Sequence, residues 1–308
     1  MSKQRAILIA GPTASGKSAV AMALAQALNG VVINADSMQV YDGLRVLTAR
    51  PSAEDEQTAP HMLYGFVDAA DAYSTGRWID DVRSAISTVE GAGQLPIITG
   101  GTGLYFKALL EGLSPIPDIP EDMRAHWRMQ ARDMDAGELH ALLQARDPEM
   151  AQRLLPSDSQ RIARALEVID ATGRSLAEWQ SEPGEVVLGV DDVLQLRISP
   201  PREYLYAKID GRFDTMLEEG ALEEVEALAA RKLDPDLPAM RALGVRPFLA
   251  LLAGDLSRDD AVAQAKMETR RYAKRQETWA RSNMIAWKWL NEKEMESLIS
   301  EIFSFIDV

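Results

Sequence analysis

Gly11-Pro12-Thr13-Ala14-Ser15-Gly16-Lys17-Ser18 follows directly on the apolar run Ala6-Ile7-Leu8-Ile9-Ala10 and precedes a helical pattern from Ala19 to Leu28. With G-x-x-x-x-G-K-[ST] matched at every required position, this strand–turn–helix order predicts a phosphate loop at the end of a parallel strand. Glycines let the backbone turn its N–H groups inward, and the helix dipole adds partial positive charge at the same point. Lys17 is then in reach of a terminal phosphate, and the Ser18 hydroxyl can ligate Mg²⁺. A pyrophosphate-bearing ligand is expected on Gly11–Ser18; the motif alone does not name the molecule that carries it.

The second apolar run, Val31-Val32-Ile33-Asn34-Ala35-Asp36, reads as another strand buried on both faces, ending in a carboxylate. Ligands of open parallel sheets sit beyond the carboxyl ends of the strands, so Asp36 is expected to face the phosphate loop. A polar loop, Asp36-Ser37-Met38-Gln39-Val40-Tyr41, follows. Leu44 to Pro60 has no clear period and is read as loop. Ser74 is expected to cap a helix that runs to about Val89 and ends at Gly91 and Gly93. A third strand, Leu95 to Thr99, runs into Gly100-Gly101-Thr102-Gly103-Leu104-Tyr105, a second glycine-rich turn opening another helix. Two such turns at one sheet edge can enclose one substrate.

The alternation of strands and helices stops at Leu113, where Ser114-Pro115-Ile116-Pro117-Asp118-Ile119-Pro120 reads as a linker. Glu121 to Trp179 carries helical patterns and no strand signal. The expected organisation is therefore a core over residues 1–113 and 186–308 with an all-helical insertion over 114–185. Within the insertion, Ser157 with Gln160 three residues on predicts a capping box. Ile162, Leu166 and Ile169 form the apolar stripe of that helix. Gln160, Arg161 and Arg164 fall on the opposite flank, as either a solvated face or a binding face. Val193 to Ile198 reads as a returning strand. Helices are expected from Arg202 to about Arg231, from Arg246 to Leu252 and from Ser257 to about Arg281. A last strand from Met284 to Leu290 and a closing amphipathic helix over Glu294–Ile306 complete the reading. The fold class is α/β: a P-loop NTPase-like parallel sheet flanked by helices, with a helical insertion domain.

Charge enters the argument at the long helix. Between Lys266 and Arg281 stand six basic residues (Lys266, Arg270, Arg271, Lys274, Arg275, Arg281) against Glu268 and Glu277, in a chain of net charge −14. Such a stripe is either a salt-bridged surface helix or a phosphate-contact face. The overall acidity argues against a protein coated in nucleic acid, but local charge decides contact. At 308 residues, 46% hydrophobic and 26% charged, the composition is that of a soluble globular chain of about two domains. It has no apolar run long enough for a bilayer and no signal-peptide pattern, so a cytoplasmic location and no membrane partner are expected. The absence of cysteine excludes disulfides, cysteine-ligated zinc and a thiol nucleophile.

Together these stretches resemble the bacterial type of the tRNA dimethylallyltransferase (tRNA isopentenyltransferase) family. The resemblance runs from Gly11 to Trp279 and rests on residues 11–18, Asp36–Tyr41, Thr48-Ala-Arg-Pro51 and Gly100–Tyr105. It continues through Asp158-Ser-Gln-Arg-Ile-Ala-Arg-Ala-Leu-Glu-Val168, Arg212-Phe to Gly220, Arg241-Ala-Leu-Gly244 and Thr269–Trp279. The chain departs from the family pattern at Leu47, usually Gly, at Ser157, usually Asn, and at Val245, usually Tyr.

The resemblance implies transfer of a dimethylallyl group from dimethylallyl diphosphate to the exocyclic amine of the adenosine 3′-adjacent to the anticodon, with Mg²⁺ as cofactor. It implies catalytic roles for Asp36, Thr102, Lys17 and Arg212, with the donor diphosphate on Gly11, Pro12, Thr13, Ala14, Ser15, Gly16, Lys17 and Ser18. Asp36 is the expected general base; on the residues alone it would serve equally as a Mg²⁺ ligand. Arg212 is the expected diphosphate clamp, although from sequence it can equally pair with a nearby acid. tRNA contacts are implied at Asp36, Ser37, Met38, Gln39, Thr102, Arg124, Gln160, Arg161, Ile162, Ala163, Arg164, Arg241, Gly244, Arg246, Lys274, Arg275, Gln276 and Arg281. The partner is the anticodon stem-loop, its target base must be flipped out of the stack, and the enzyme is expected to be a monomer. Three other readings share some of these features: a transferase acting on free adenine nucleotide, a small-molecule kinase with ATP in the loop, and a nucleotide-gated RNA-binding protein.

Overall fold

The computed structural model describes residues 4–291 and 294–306. In chain order it contains β1 (Ala6–Ala10), α1 (Lys17–Ala27), β2 (Gly30–Asn34), α2 (Ala53–Thr58), β3 (His61–Met62), α3 (Thr75–Gly91), β4 (Leu95–Gly100) and α4 (Gly103–Glu111). Five helices follow without a strand: α5 (Glu121–Asp133), α6 (Ala136–Arg146), α7 (Pro148–Arg153), α8 (Ser159–Thr172) and α9 (Leu176–Ser181). The chain then returns to the sheet with β5 (Val193–Ile198), α10 (Arg202–Glu218), α11 (Ala221–Ala230), α12 (Val245–Ala253), α13 (Arg258–Asn283), β6 (Lys288–Leu290) and α14 (Met295–Phe303).

The six strands form one parallel sheet in the order β3-β2-β4-β1-β5-β6. β1 and β2 are buried at every position, as strands covered on both faces must be. One layer of the core joins Ile7 and Ile9 of β1 to Val20 and Leu24 of α1, Ile97 of β4, Leu194 and Leu196 of β5, and Leu298 and Ile302 of α14. Because β1 is central, its carboxyl end opens between those of β4 and β5, and the loop after it lies at the middle of the sheet edge.

The chain divides into two compact units, one formed by the residues up to Leu110 and from Val187 onward, the other by Glu111–Val186. The second unit has its own core, in which Ile162 and Leu166 of α8 pack with Trp127, Leu139, Leu143 and Met150. No described helix is long and apolar enough to cross a membrane.

Several local expectations need correction. The stretch Leu44–Pro60, read as loop, contains α2; its start is fixed by a capping box in which Ser52 and Asp55 each accept from the other's backbone N–H. No α2 residue is buried, so apolar periodicity could not reveal it. Ser157 does not cap α8. Asp158 does, accepting from Arg161 N at 3.4 Å, which places Gln160 inside the first turn and not in a box. The run from Arg202 to Arg231 is two helices broken near Gly220. β6 is confined to Lys288–Leu290. β2 ends at Asn34, two residues before Asp36.

Candidate active site

The loop after β1 turns on two left-handed residues, Ala14 (φ 63°) and Gly16 (φ 90°). Gly16 is also the N-cap of α1 and supplies no side-chain cap, so the first amides of that helix remain available at the loop. Ser15 N donates to Pro12 O at 3.3 Å, and the Lys17 ammonium donates to the same carbonyl at 3.3 Å. Ser15 Oγ is buried without a hydrogen-bond partner. One loop amide is fixed from outside: Thr13 N donates to Gln276 Oε1 at 2.9 Å, while Gln276 Nε2 donates to Gly101 O at 2.9 Å. A single side chain of α13 thus bridges the two glycine-rich turns. The glycines of the second turn are explained by this packing. A Cβ on Gly101 would lie 2.1 Å from Gln276 Nε2, and one on Gly103 would lie 2.2 Å from the Trp279 ring.

Asp36 is held by its neighbours. The buried Asn34 amide accepts from Asp36 N at 2.8 Å and donates to Asp36 O at 2.9 Å and Leu63 O at 3.0 Å. Asp36 Oδ1 accepts from Met38 N at 2.9 Å, an Asx turn that leaves its other oxygen to the cavity. Thr102 Oγ1 accepts from Ser37 N at 2.9 Å and so joins the Asp36 loop to the second glycine turn. Gln39 Nε2 donates to Thr48 O and Ala49 O at 2.9 and 3.0 Å, tying the same loop to the segment behind it. That segment is held in turn by Glu224, whose carboxylate accepts from Val46 N at 2.8 Å and Leu47 N at 2.9 Å.

These pieces enclose a cavity of about 280 Å³. Thr13, Asp36, Arg212 and Arg275 give it a polar and charged side; Leu47, Ile209, Phe213, Met216 and Leu243 give it an apolar wall. Burial pushes the Lys17 ammonium down to about 8; the Asp36 carboxylate opposes that fall and the Arg212 guanidinium adds to it. Arg212 is itself shifted down by burial, against the pull of Asp36 and Glu219. Tyr272 is pushed up by burial and by Asp36, with Thr102 and Gln276 hydrogen-bonded beside it. Two cations facing one carboxylate in a desolvated cleft form a site that gains when an anion enters.

Of the residues singled out from sequence, Thr13, Ala14, Asp36, Ser37, Met38, Arg212, Arg241 and Arg275 line this cavity, and Lys17 is coupled to it through Asp36 and Arg212. Gln276 is engaged by the loop. Gly244 begins α12, and a Cβ there would lie 2.9 Å from Leu47. Arg246 is exposed. Arg281 pairs with Glu277 at 3.1 Å. Arg124, Gln160, Arg161 and Arg164 belong to the helical unit, where Arg161 pairs with Asp158 at 2.8 Å and Arg164 with Glu167 at 3.0 Å. Ile162 (0% exposed) and Ala163 (4%) are core residues of that unit, so their side chains present nothing to a partner. Of the basic stripe on α13, Lys266 and Arg270 are paired with Asp214 and Asp210 of α10, while Arg271, Lys274 and Arg275 are exposed. Sequence reasoning missed the clamp role of Gln276, whose signal is an amide inside a basic stripe, and the bracing by Glu224, which has no local signal.

Comparison with known proteins agrees with this geometry. The family model described as IPP transferase matches residues 39–283, and that described as Isopentenyl transferase matches residues 4–64. The tRNA dimethylallyltransferase of Parvibaculum lavamentivorans is 52% identical over 303 residues, covering 98% of this chain and 96% of the relative. That of Beijerinckia indica is 54% identical over 292 residues, covering 95% and 97%. Among solved structures, the tRNA isopentenylpyrophosphate transferase of Bacillus halodurans superposes with a TM-score of 0.70 at 32% identity, over 99% of this chain and 96% of that one. A eukaryotic dimethylallyltransferase described as acting on tRNA superposes with a TM-score of 0.77 at 30% identity, over 94% of this chain and 74% of that one. A phosphate loop facing a braced carboxylate across one cavity, in a chain matched over most of its length, places this protein in the IPP transferase family.

Proposed function

We propose that this enzyme transfers the dimethylallyl group of dimethylallyl diphosphate to the exocyclic amine of the adenosine 3′-adjacent to the anticodon of a tRNA, releasing diphosphate. The observation that carries this reading is the shared cavity: the phosphate loop, Arg212 and Asp36 meet on its charged side, against an apolar wall of Leu47, Ile209, Phe213, Met216 and Leu243. An allylic diphosphate ionises readily because the departing carbon becomes a delocalised cation. The protein's main task is to stabilise the leaving diphosphate with groups already in place. Loop amides, Lys17 and the Arg212 fork do this. Asp36 accepts a proton from the adenine amine, orienting a nucleophile whose lone pair is otherwise delocalised into the ring. Thr102 positions the Asp36 loop through Ser37 N.

Mg²⁺ is the expected cofactor. Ser18 offers an exposed hydroxyl at the first turn of α1, and no three carboxylate or imidazole groups cluster among the described residues. That sparse donor set fits an ion that keeps most of its waters and takes one protein oxygen with phosphate oxygens. When bound, the ion neutralises charge on the leaving diphosphate. The cavity is complete within one chain, which supports a monomer, and a tRNA substrate supports a cytoplasmic location.

The donor is tested directly. With RNA present, dimethylallyl diphosphate is consumed and ATP is not; stoichiometric ADP during turnover would refute the reading.

Lys17 gives the binding step a pH signature. The free ammonium titrates near 8, and an adjacent diphosphate favours its charged form. Donor binding therefore takes up protons between pH 8 and the ordinary lysine range, and affinity falls as pH rises through 8. Calorimetry in two buffers of different ionisation heat reads this, after correction for the donor's own titration. A proton count unchanged by Lys17→Met would contradict it.

The RNA contact is electrostatic and confined. Arg271 and Lys274, exposed on α13, lie on one groove with Arg275 and Trp279. Removing a phosphate contact lowers the slope of log affinity against log salt by roughly 0.7–0.9. Arg271→Ala with Lys274→Ala is expected to weaken tRNA binding and flatten that slope by about one to two, with donor affinity unchanged. An unchanged slope would leave α13 a solvated helix.

A further inference from the structure

A second cavity, of about 340 Å³, lies at the carboxyl ends of β5 and β6, and the transfer chemistry does not use it. In open parallel sheets this edge is where ligands bind. Beyond β5 the chain runs Ser199-Pro200-Pro201 into α10, and Ser199 N donates to Leu290 O at 2.8 Å, tying the two strand ends together. Trp289 is 53% exposed on an edge strand between exposed Lys288 and buried Leu290. The Arg197 guanidinium lies 4.5 Å from its ring centre and that of Arg281 lies 5.8 Å away. Arg197 is buried and held by Glu277, so the indole rests on a fixed support. Across the cavity, Arg202 stacks on Tyr206 with its guanidinium 4.9 Å from the ring centre.

The charge is one-sided. Among the described residues, Arg202, Lys274 and Arg281 line the cavity against one carboxylate, Glu277. That carboxylate is already engaged by Arg197, Arg281 and the Ser199 hydroxyl. In a chain of net charge −14, a cleft of aromatic faces with cations in excess of carboxylates suits a base with its phosphate.

The cavity is linked to the reaction site by residues shared with a third groove. Lys274 and Thr278 line both this cavity and the groove of Arg271, Arg275 and Trp279, and Arg275 also lines the cavity of Asp36. Around α13 the lining residues thus pass from Arg275, in the cavity of Asp36, through Arg271, Lys274 and Thr278 to the cavity of Trp289. Extruding one base from an RNA loop unstacks its neighbours, and a protein that extrudes the first gains by stacking a second.

We propose that Trp289, Tyr206 and Arg202 form a stacking subsite for a second unpaired base of the RNA, with its phosphate on Lys274 or Arg281. This rests on the RNA-modifying reading above. The test is a cycle across the interface. Anticodon stem-loops, intact or abasic at each loop position in turn, are bound to wild type, Trp289→Ala, Trp289→Phe and Tyr206→Ala. Base–aromatic stacking is worth about tenfold in affinity. Wild type is expected to lose about tenfold at one loop position other than the reacting adenosine. Trp289→Ala loses about as much on the intact hairpin and nothing further at that position, Trp289→Phe recovers most of the loss, and donor affinity stays unchanged in all. Should Trp289→Ala fold poorly, Tyr206→Ala carries the same cycle. Tight binding of the intact hairpin, with no position coupled to Trp289 or Tyr206, overturns the subsite alone. Failure of wild type to bind or prenylate the intact hairpin overturns the RNA-modifying reading, and the subsite with it.

Discussion

Asp36→Asn lowers the single-turnover rate of prenyl transfer by about two to four orders of magnitude, the usual contribution of a positioned general base, while tRNA affinity stays within a few-fold. Asparagine is the informative replacement because its side-chain oxygen still accepts from Met38 N and preserves the Asx turn. What is removed is the charge. The same substitution has a second readout: Asp36 opposes the fall in the Lys17 pKa, so without it Lys17 titrates still lower. A rate within a few-fold of wild type would reduce Asp36 to a turn residue.

Lys17→Met separates function from stability. It removes a preorganised donor to the leaving diphosphate and is expected to cut kcat/KM by about two to three orders of magnitude. It is also expected to raise Tm by a few degrees at pH 7. The sign follows from linkage. Below about 8, Lys17 is protonated in both the folded and unfolded states, and its desolvation in the fold is fully felt. Between 8 and the ordinary lysine value of 10.5 the folded chain sheds the proton first, so the penalty fades as pH rises. The Tm gain of Lys17→Met should shrink over that window. A Tm that falls at pH 7 would mean that the bond to Pro12 O outweighs the desolvation.

Those two residues were legible because each follows a strand whose apolar run announces itself, Lys17 after the loop beyond β1 and Asp36 two residues beyond β2. β1 is written as a continuous hydrophobic stretch and β4 as a nearly continuous one, while β5 carries Gln195 and Arg197 among its apolar residues; the parallel order follows from the helices between them. α2 was not legible, since it buries nothing and is held by its cap alone. α8 shows a subtler failure: Ser157 and Asp158 are both good caps, and only the geometry selects the aspartate. The apolar wall of the cavity joins Leu47 to Phe213 and Leu243, residues far apart in the chain that tertiary packing alone brings together. Gln276 is the clearest case of a role hidden by its neighbours. In a basic stripe it reads as one more RNA contact, whereas the fold turns it inward to hold Thr13 and Gly101.

The central claim is that one cavity ionises an allylic diphosphate and presents the resulting carbon to an adenine amine. It is tested most directly by rapid-quench transfer from labelled dimethylallyl diphosphate to an anticodon stem-loop. One substrate carries adenosine at the target position; its control carries purine riboside, which lacks the exocyclic amine. The predicted result is prenylated RNA and diphosphate in equal amounts with adenosine, and neither with purine riboside. Label on the purine-riboside hairpin, or diphosphate released at full rate without RNA labelling, would contradict the account.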